Sequence, residues 1–416
     1  MQRSWGVTKM NDAQVRLSGE AFQGAVSFLK ALAAAGQGRA GDGVERSTFK
    51  RSTLEGWLDT DAATWLRAQG LGPYAFYRLR EAGEIGALPA AAEEVLRGAY
   101  YRAVADTVLH DRELAVVLDA LAAVGITPIL FKGAVLAHTA YPDPACRSMG
   151  DLDLWLTDSD PSPGLRVMAR GQAALEAIGY VQRHKPTRPI ALMVQRSGEI
   201  QMIGQHPGSG LVELHWGTFA GEWLRRSAAV DEALIREQVR PVIILGRPAR
   251  SLAPEDAIIQ LAVHLAVNHQ MAYPGLRGLL DLVLLARAGD VDWAEVTARA
   301  KSWRVGTATW LVLHLAADLF GLDEAAPAIA HLRPSSARRW WLGRFASARS
   351  LLALRDLTRG PLRFVYQLLL VDRARDALRL FWRAVWPEDD WLAARYGQAG
   401  SGVRLRHLLG AVRGRV

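Results

Sequence analysis

The sequence predicts an α+β fold in which a small mixed β-sheet lies between two helical regions. The 416 residues are 50% hydrophobic and 22% charged, which is enough apolar material to bury one or more large cores. Apolar residues recur at helical spacing before residue 124 and after residue 251. Between these positions, short alternating runs replace the helical spacing, and such runs are typical of β-strands.

The predicted regions follow one another from the N terminus. Residues 1–50 form a mixed segment with a Gly-rich linker, and residues 51–124 form an N-terminal helical region. Residues 125–250 form the mixed core. Residues 251–400 form a C-terminal helical domain that begins with a first-turn proline, and residues 401–416 form a basic tail. Within the core we expect strands at 126–131, 151–156 and 211–216, helices at 134–140 and 164–178, and a hairpin over 189–203.

The basic excess of the chain does not require a nucleic-acid partner. The formal charge is +8, from 50 basic and 42 acidic residues, and the basic residues are spread along the chain rather than clustered. The single cysteine, Cys146, excludes an internal disulfide framework. The sequence has no signal-like segment and no apolar run of about 18 residues, so we expect a cytoplasmic protein without a membrane partner.

Two aspartates interrupt an apolar strand in the segment Gly150–Trp155. Residues two apart in a strand point to the same face, so Asp151 and Asp153 present two carboxylates roughly 6 to 7 Å apart. Charge inside an otherwise buried run is costly unless it has a partner. Two hard oxygen donors at this separation can share magnesium ions that also bind triphosphate oxygens. The pattern therefore favours a metal site.

A second alternating strand, Leu211–Trp216, offers a third carboxylate. Glu213 and His215 share one face of this strand and the apolar residues share the other. An acidic residue on a neighbouring strand would complete the coordination of the ions or take a proton from an attacking hydroxyl. We expect His215 to supply hydrogen bonds close to the same site. The order of the strands cannot be predicted from the sequence, so the adjacency of the two strands is a hypothesis.

Residues with affinity for phosphate precede the two aspartates. Lys132 and Gly133 follow the first strand and begin a helix, where free N–H groups suit an anion and glycine permits close approach. Lys132 would supply a compact positive charge. Arg147 and Ser148 would add a charged phosphate contact and a hydroxyl.

Four core segments together resemble a known family: Phe131–Ala134, Tyr141–Pro144, Arg147–Leu154 and Val212–Trp216. They resemble the bacterial uncharacterised nucleotidyltransferase family of the DNA polymerase beta-like superfamily. The resemblance implies a small mixed sheet with a glycine turn, two metal-binding aspartates on one strand and a third carboxylate on another. The chain departs from the superfamily at the turn itself, where Lys132-Gly133-Ala134 stands in place of the usual Gly-Ser.

The resemblance implies an enzyme, a magnesium-dependent nucleotidyltransferase. It would move a nucleotidyl or phosphoryl group from a nucleoside triphosphate, with ATP expected, to a hydroxyl- or carboxyl-bearing acceptor such as a peptide or a small molecule. Mg²⁺ is the expected ion and Mn²⁺ the alternative. The predicted catalytic residues and metal ligands are Asp151, Asp153 and Glu213, and the predicted nucleotide-binding residues are Lys132, Gly133, Arg147, Ser148 and His215.

Two other functions stay open at this point. A D-x-D glycosyltransferase would use the same aspartates to hold a metal on a nucleotide sugar, but it would need a longer nucleotide-binding segment before them. A helical adaptor would carry a degenerate core without activity. Labelled nucleotides and nucleotide sugars separate the two enzymes, and nucleotide-dependent thermal stabilisation separates both enzymes from the adaptor.

Overall fold

The computed structural model describes residues 19–34, 49, 57–157, 165–183, 198–272, 275–353 and 361–412. Within these residues, one mixed sheet of seven strands has the order β3-β4-β5-β2-β1-β7-β6. The strands are β1 (Ile129–Leu130), β2 (Asp151–Trp155), β3 (Tyr180–Gln182), β4 (Glu199–Gly204), β5 (Leu211–His215), β6 (Arg240–Ile244) and β7 (Arg247–Ser251).

The central strands of the sheet run in mixed directions. β2 pairs with β5 in parallel and with β1 in antiparallel orientation, and β1 pairs with β7 in parallel. The pairs β3–β4, β4–β5 and β6–β7 are antiparallel. The predicted α+β fold and its small mixed sheet are confirmed.

Helices lie before, between and after the strands in the sequence. They are α1 (Gly19–Ala34), α2 (Thr60–Ala68), α3 (Gly72–Glu81), α4 (Ala90–Ala123), α5 (Lys132–Thr139), α6 (Leu165–Ala177), α7 (Glu222–Ser227), α8 (Glu232–Gln238), α9 (Pro254–Val263), α10 (Gly275–Ala288), α11 (Trp293–Ser302), α12 (Gly306–Phe320), α13 (Ala326–Leu332), α14 (Ser336–Phe345), α15 (Ala348–Leu352), α16 (Pro361–Leu370), α17 (Ala374–Val385), α18 (Asp389–Tyr396) and α19 (Ser401–Val412). A π-turn, His264–Asn268, follows α9 directly.

The apolar faces of the central strands build the core beneath the sheet. Leu152 and Leu154 of β2 and Val212 and Leu214 of β5 are fully buried, so the alternation in both strands divides a core face from a polar face. Helix α4 contacts α6 and β7, while α2 and α3 pack on α4. Helix α5 contacts both β2 and α10, which brings the C-terminal helices next to the polar residues of β2.

The N-terminal helix α1 packs against α12 of the C-terminal half. The division into five regions therefore stays a prediction, although its core limits enclose the whole sheet except Ser251. Within the described residues, no helix combines the length and the apolar character needed to cross a bilayer.

Most predicted core elements are present with shifted ends. The first predicted strand shrinks to Ile129–Leu130, and the helix after it begins at Lys132. The second half of the predicted hairpin is β4, whereas its first half, 189–194, lies outside the described residues. Strands β3, β6 and β7 were not predicted.

Candidate active site

The polar face of β2 meets the polar face of β5 at the centre of the sheet. The parallel register places Asp153 directly opposite Glu213, with Asp151 opposite Leu211 and Trp155 opposite His215. The hypothesis that the two predicted carboxylate strands are neighbours is therefore confirmed. Because side chains of paired residues point to the same face, the carboxylates of Asp153 and Glu213 lie side by side.

Two cationic or hydrogen-bonding side chains converge on one oxygen of Asp153. The Lys132 Nζ atom lies 2.7 Å from Asp153 Oδ1, and His215 Nε2 lies 3.0 Å from the same atom. The side chains of Asp153 and His215 are each 3% exposed and that of Lys132 is 10% exposed. The site is therefore nearly sealed from solvent around Asp153.

The donor set of this cluster fits a divalent cation. Ligand atoms of Asp153, Glu213 and His215 all lie within 4.8 Å of one another. His215 Nδ1 is buried and has no hydrogen-bond partner among the described residues, so the cluster has an unused donor atom. The carboxylate oxygens suit Mg²⁺ and Mn²⁺, whereas the imidazole nitrogen suits transition metals such as Zn²⁺. Asp151 lies outside this group but two residues along the same strand face.

Burial and mutual repulsion set the protonation of the carboxylates. Burial, together with the neighbouring carboxylates of Glu199 and Asp153, raises the pKa of Glu213 well above its usual value. Burial and the Asp153 charge likewise raise the pKa of Asp151. Burial also opposes the ionisation of Asp153, but the Lys132 charge and the His215 hydrogen bond hold its pKa well below the usual value. Asp153 is therefore the most readily ionised of the three carboxyl groups. A bound cation would favour ionisation of Asp151 and Glu213.

Strand β4 adds two polar side chains that the sequence interpretation did not place in the site. Glu199 pairs with His215 and Gln201 pairs with Glu213 across β4 and β5. The Gln201 Nε2 atom donates to Glu213 Oε1 at 2.5 Å, and Glu199 Oε2 lies 3.9 Å from His215 Nδ1. The sequence analysis did not assign Glu199 and Gln201 to the site, because it interpreted Glu199–Ile203 only as half of a hairpin.

The turn before β2 is held by a buried ion pair with helix α10. Arg147 donates from Nε to Asp281 Oδ1 at 3.2 Å and from Nη2 to Oδ2 at 2.7 Å, while Nη1 donates to the Ser148 carbonyl at 2.9 Å. The Tyr141 hydroxyl also donates to Asp281 Oδ1 at 2.7 Å. All three guanidinium nitrogens of Arg147 thus bind protein acceptors. Its predicted phosphate contact stays a prediction, and the structure gives it a second role in fixing the turn.

Gly133 makes a close backbone contact, as predicted. The contact is with Arg147 and Met149 in the turn before β2. A Cβ atom at Gly133 would lie 2.7 Å from Arg147 Nη1 and 2.8 Å from Met149 Cγ. Glycine is therefore required so that α5 can pack on the segment leading into β2. Ser148 is half-buried in that segment.

Two histidines, His264 in the π-turn and His269 directly after it, also lie close to the charged centre. His269 N donates to the His264 carbonyl at 3.0 Å, and the two rings form a T-shaped contact with centroids 4.5 Å apart. Burial and the Lys132 charge hold the pKa of His264 well below its usual value and lower that of His269 to about 4. Two neutral imidazoles are therefore held close to the ammonium group, and π-turns are frequent at functional sites.

Comparison with known proteins identifies the family to which this site belongs. The profile of the uncharacterised nucleotidyltransferase family matches residues 59–321, which is more than half of the chain. The chain belongs to the uncharacterised nucleotidyltransferase family. The match includes α2 to α12 and the whole sheet, so every residue of the candidate site lies inside the family region.

Other comparisons add little to this family assignment. A crystal structure of an antigenic nucleotidyltransferase-like protein from Paracoccidioides brasiliensis is 14% identical and has a TM-score of 0.34. The alignment covers 54% of this chain and 96% of that one. No curated protein matches the chain.

Proposed function

We propose that this nucleotidyltransferase-family protein is a metal-dependent enzyme that transfers a nucleotidyl group from a nucleoside triphosphate to an acceptor oxygen. The observation that carries the proposal is the register of β2 and β5, which puts Asp153 opposite Glu213 on one buried face. Mg²⁺, or Mn²⁺ in its place, would be held by Asp151, Asp153 and Glu213. ATP is the expected nucleotide, and the acceptor would be a hydroxyl- or carboxyl-bearing peptide or small molecule.

The side chains of the site would divide the work of transfer among them. A bound divalent ion would neutralise triphosphate oxygens and polarise the phosphorus that is attacked. Lys132 adds a buried positive charge beside Asp153, and the first N–H groups of α5 are available to phosphate oxygens. Glu213 would bind the ion or accept the proton of the acceptor hydroxyl.

A hydrolysis assay with purified protein tests this proposal without knowledge of the acceptor, because water can replace it. We expect Mg²⁺-dependent release of pyrophosphate and a nucleoside monophosphate from one nucleoside triphosphate. Release of nucleoside diphosphate and phosphate instead would indicate attack on the γ-phosphate and a kinase-like reaction. Release of UDP from a UDP-sugar would indicate a glycosyltransferase.

The matched variants are Asp151→Asn and Glu213→Gln, which keep the size of each side chain. Both should lower the hydrolysis rate by at least about 100-fold, which is the usual contribution of one group in acid–base or metal catalysis. Asp153 is a poorer test because it also neutralises Lys132. Unchanged turnover in both variants, or no nucleotide-dependent rise in Tm of the wild type, would favour the adaptor.

A further inference from the structure

The ammonium group of Lys132 stands where a cation would otherwise bind Asp153. Its Nζ atom is 2.7 Å from Asp153 Oδ1, and His215 Nε2 also binds this oxygen. A carboxylate oxygen with two such partners has little capacity left for a metal ion. On this side of Asp153, the chain therefore supplies the positive charge itself.

The backbone fixes the lysine in this place. Lys132 has a φ of 47°, in the left-handed region that is costly for a residue with a side chain. The N–H of the preceding Phe131 donates to the Asp153 carbonyl at 3.1 Å, and the following Gly133 is packed against Arg147 and Met149. The turn therefore holds residue 132 next to β2, and from there its side chain, 10% exposed, reaches Asp153.

Carboxylates lie beside the Lys132 ammonium group. Its Nζ atom contacts Asp153, and the register of β2 and β5 places Glu213 next to Asp153 on the same face of the sheet. The other buried cation nearby, Arg147, already neutralises Asp281. Lys132 is therefore a cation in direct contact with a predicted metal ligand, as a metal ion would be.

We propose that Lys132 takes the place of one metal ion, so that the nucleotide-free protein binds a single divalent cation. The ion would use Asp151, Glu213 and the second oxygen of Asp153. This inference rests on the proposed function, because it concerns the number of ions in the same site. It departs from the two-ion arrangement that paired aspartates alone would predict.

Titration of the full-length protein with Mn²⁺, followed by electron paramagnetic resonance, measures both stoichiometry and affinity. We expect one Mn²⁺ per chain in the wild type. Lys132→Met removes the repulsion and frees an oxygen of Asp153, so its Kd for Mn²⁺ should fall at least tenfold. A purely structural role for Lys132 predicts the opposite sign, because loss of a buried partner would disorder the site and weaken binding.

Lys301→Met is the matched control, because it removes the same charge from the exposed end of α11 and should leave the Kd unchanged. Two Mn²⁺ ions per wild-type chain, no bound Mn²⁺, or a Kd that Lys132→Met leaves unchanged or raises would overturn the inference. The nucleotide hydrolysis assay decides the proposed function separately. A protein that binds one Mn²⁺ as expected but cleaves no nucleotide would retain this inference and lose the function.

Discussion

Asp153 and Glu213 lie opposite each other on adjacent strands, yet their surroundings give them opposite effects on stability. Asp153 is ionised against a buried ammonium group, whereas Glu213 is held among carboxylates in a buried place. A carboxylate with a raised pKa destabilises the folded protein when it is forced to ionise, and one with a lowered pKa stabilises it. Ionised Asp153 thus stabilises the fold, whereas ionised Glu213 destabilises it unless a cation is bound.

Isosteric amides at these two positions should therefore change the metal-free protein in opposite directions. Asp153→Asn leaves Lys132 buried and unpaired, which should cost roughly 3 kcal/mol of unfolding free energy. Glu213→Gln removes a buried carboxyl group whose raised pKa costs stability at pH 8, so it should raise the Tm at that pH by at least about 2 °C. Thermal unfolding in the presence of a chelator measures both. A loss of stability in both variants would contradict the assigned charges.

The raised pKa of Glu213 also predicts how stability depends on pH. Because the unfolded pKa is near 4.5 and the folded pKa is higher, the unfolded state releases this proton first as pH rises. The metal-free wild type should therefore lose stability from about pH 4.5 upwards, over the window that ends at the folded pKa. Glu213→Gln should lack this part of the loss, and the two stability curves should converge below pH 4.5.

A divalent cation should reverse the trend, because it favours the ionised carboxylates. Mg²⁺ or Mn²⁺ at pH 8 is expected to raise the Tm of the wild type more than that of Glu213→Gln, which has lost one ligand. Equal stabilisation of the two proteins by the cation would show that Glu213 is not a ligand.

At the scale of single elements, the turn that joins β1 to α5 depends on one residue without a side chain. Gly133→Ala would place a methyl group within 2.8 Å of Arg147 and Met149. We expect a loss of about 1–3 kcal/mol of unfolding free energy, which is typical of an overpacked core, together with weaker Mn²⁺ binding. Chemical denaturation and Mn²⁺ titration provide the two measurements.

Gly150→Ala is the control for this turn, since it lies in the neighbouring segment before β2 and a Cβ atom there meets nothing within 4 Å. It should leave both stability and Mn²⁺ affinity nearly unchanged. Equal losses in the two variants would point to backbone entropy rather than to the contact with Arg147.

The elements that could be predicted from the sequence are those whose local pattern agrees with their burial. β2 and β5 alternate in sequence and bury one face, so their polar residues were assigned correctly to one side. β6 and β7 carry prolines and arginines, have little apolar alternation, and form one edge of the sheet. β1 is only two residues long because Ile126 to Pro128 do not pair in register.

The histidine pair shows why local spacing was insufficient for the rest of the site. A separation of five residues argues against a shared α-helix face, but a π-turn brings such residues together, as it does for His264 and His269. The contact of Asp281 with Arg147 could likewise not be predicted, because the two residues are 134 positions apart in the sequence. Only the packing of α10 against α5 brings it to the turn.

At the scale of the whole molecule, the arginines of this chain join elements that are distant in sequence. Arg299 of α11 binds Asp256 of α9, and Arg226 binds Glu388. Arg147 and Arg299 are less than 9% exposed. Part of the basic excess therefore consists of buried ion pairs that connect separate elements.

The ion pair between Arg147 and Asp281 should contribute most to stability. It connects α10 to the turn before β2, the strand that carries Asp151 and Asp153. Asp281→Ala leaves a buried guanidinium unpaired and removes the acceptor of the Tyr141 hydroxyl, so we expect a loss of about 3–5 kcal/mol of unfolding free energy. Asp119→Ala breaks a bidentate pair of the same kind with Arg247, but at an exposed position, and should change the Tm little.

A thermodynamic cycle separates the pairing itself from the penalty of an unpaired charge. The double variant Arg147→Met, Asp281→Leu removes both charges and should recover most of the stability that Asp281→Ala alone loses. If the pair also positions Asp151 and Asp153, the double variant should fold well and still bind Mn²⁺ more weakly than the wild type. Denaturant unfolding and Mn²⁺ titration of the same samples test both points. If the double variant is stable and binds Mn²⁺ as tightly as the wild type, the ion pair stabilises the fold but does not position the metal ligands.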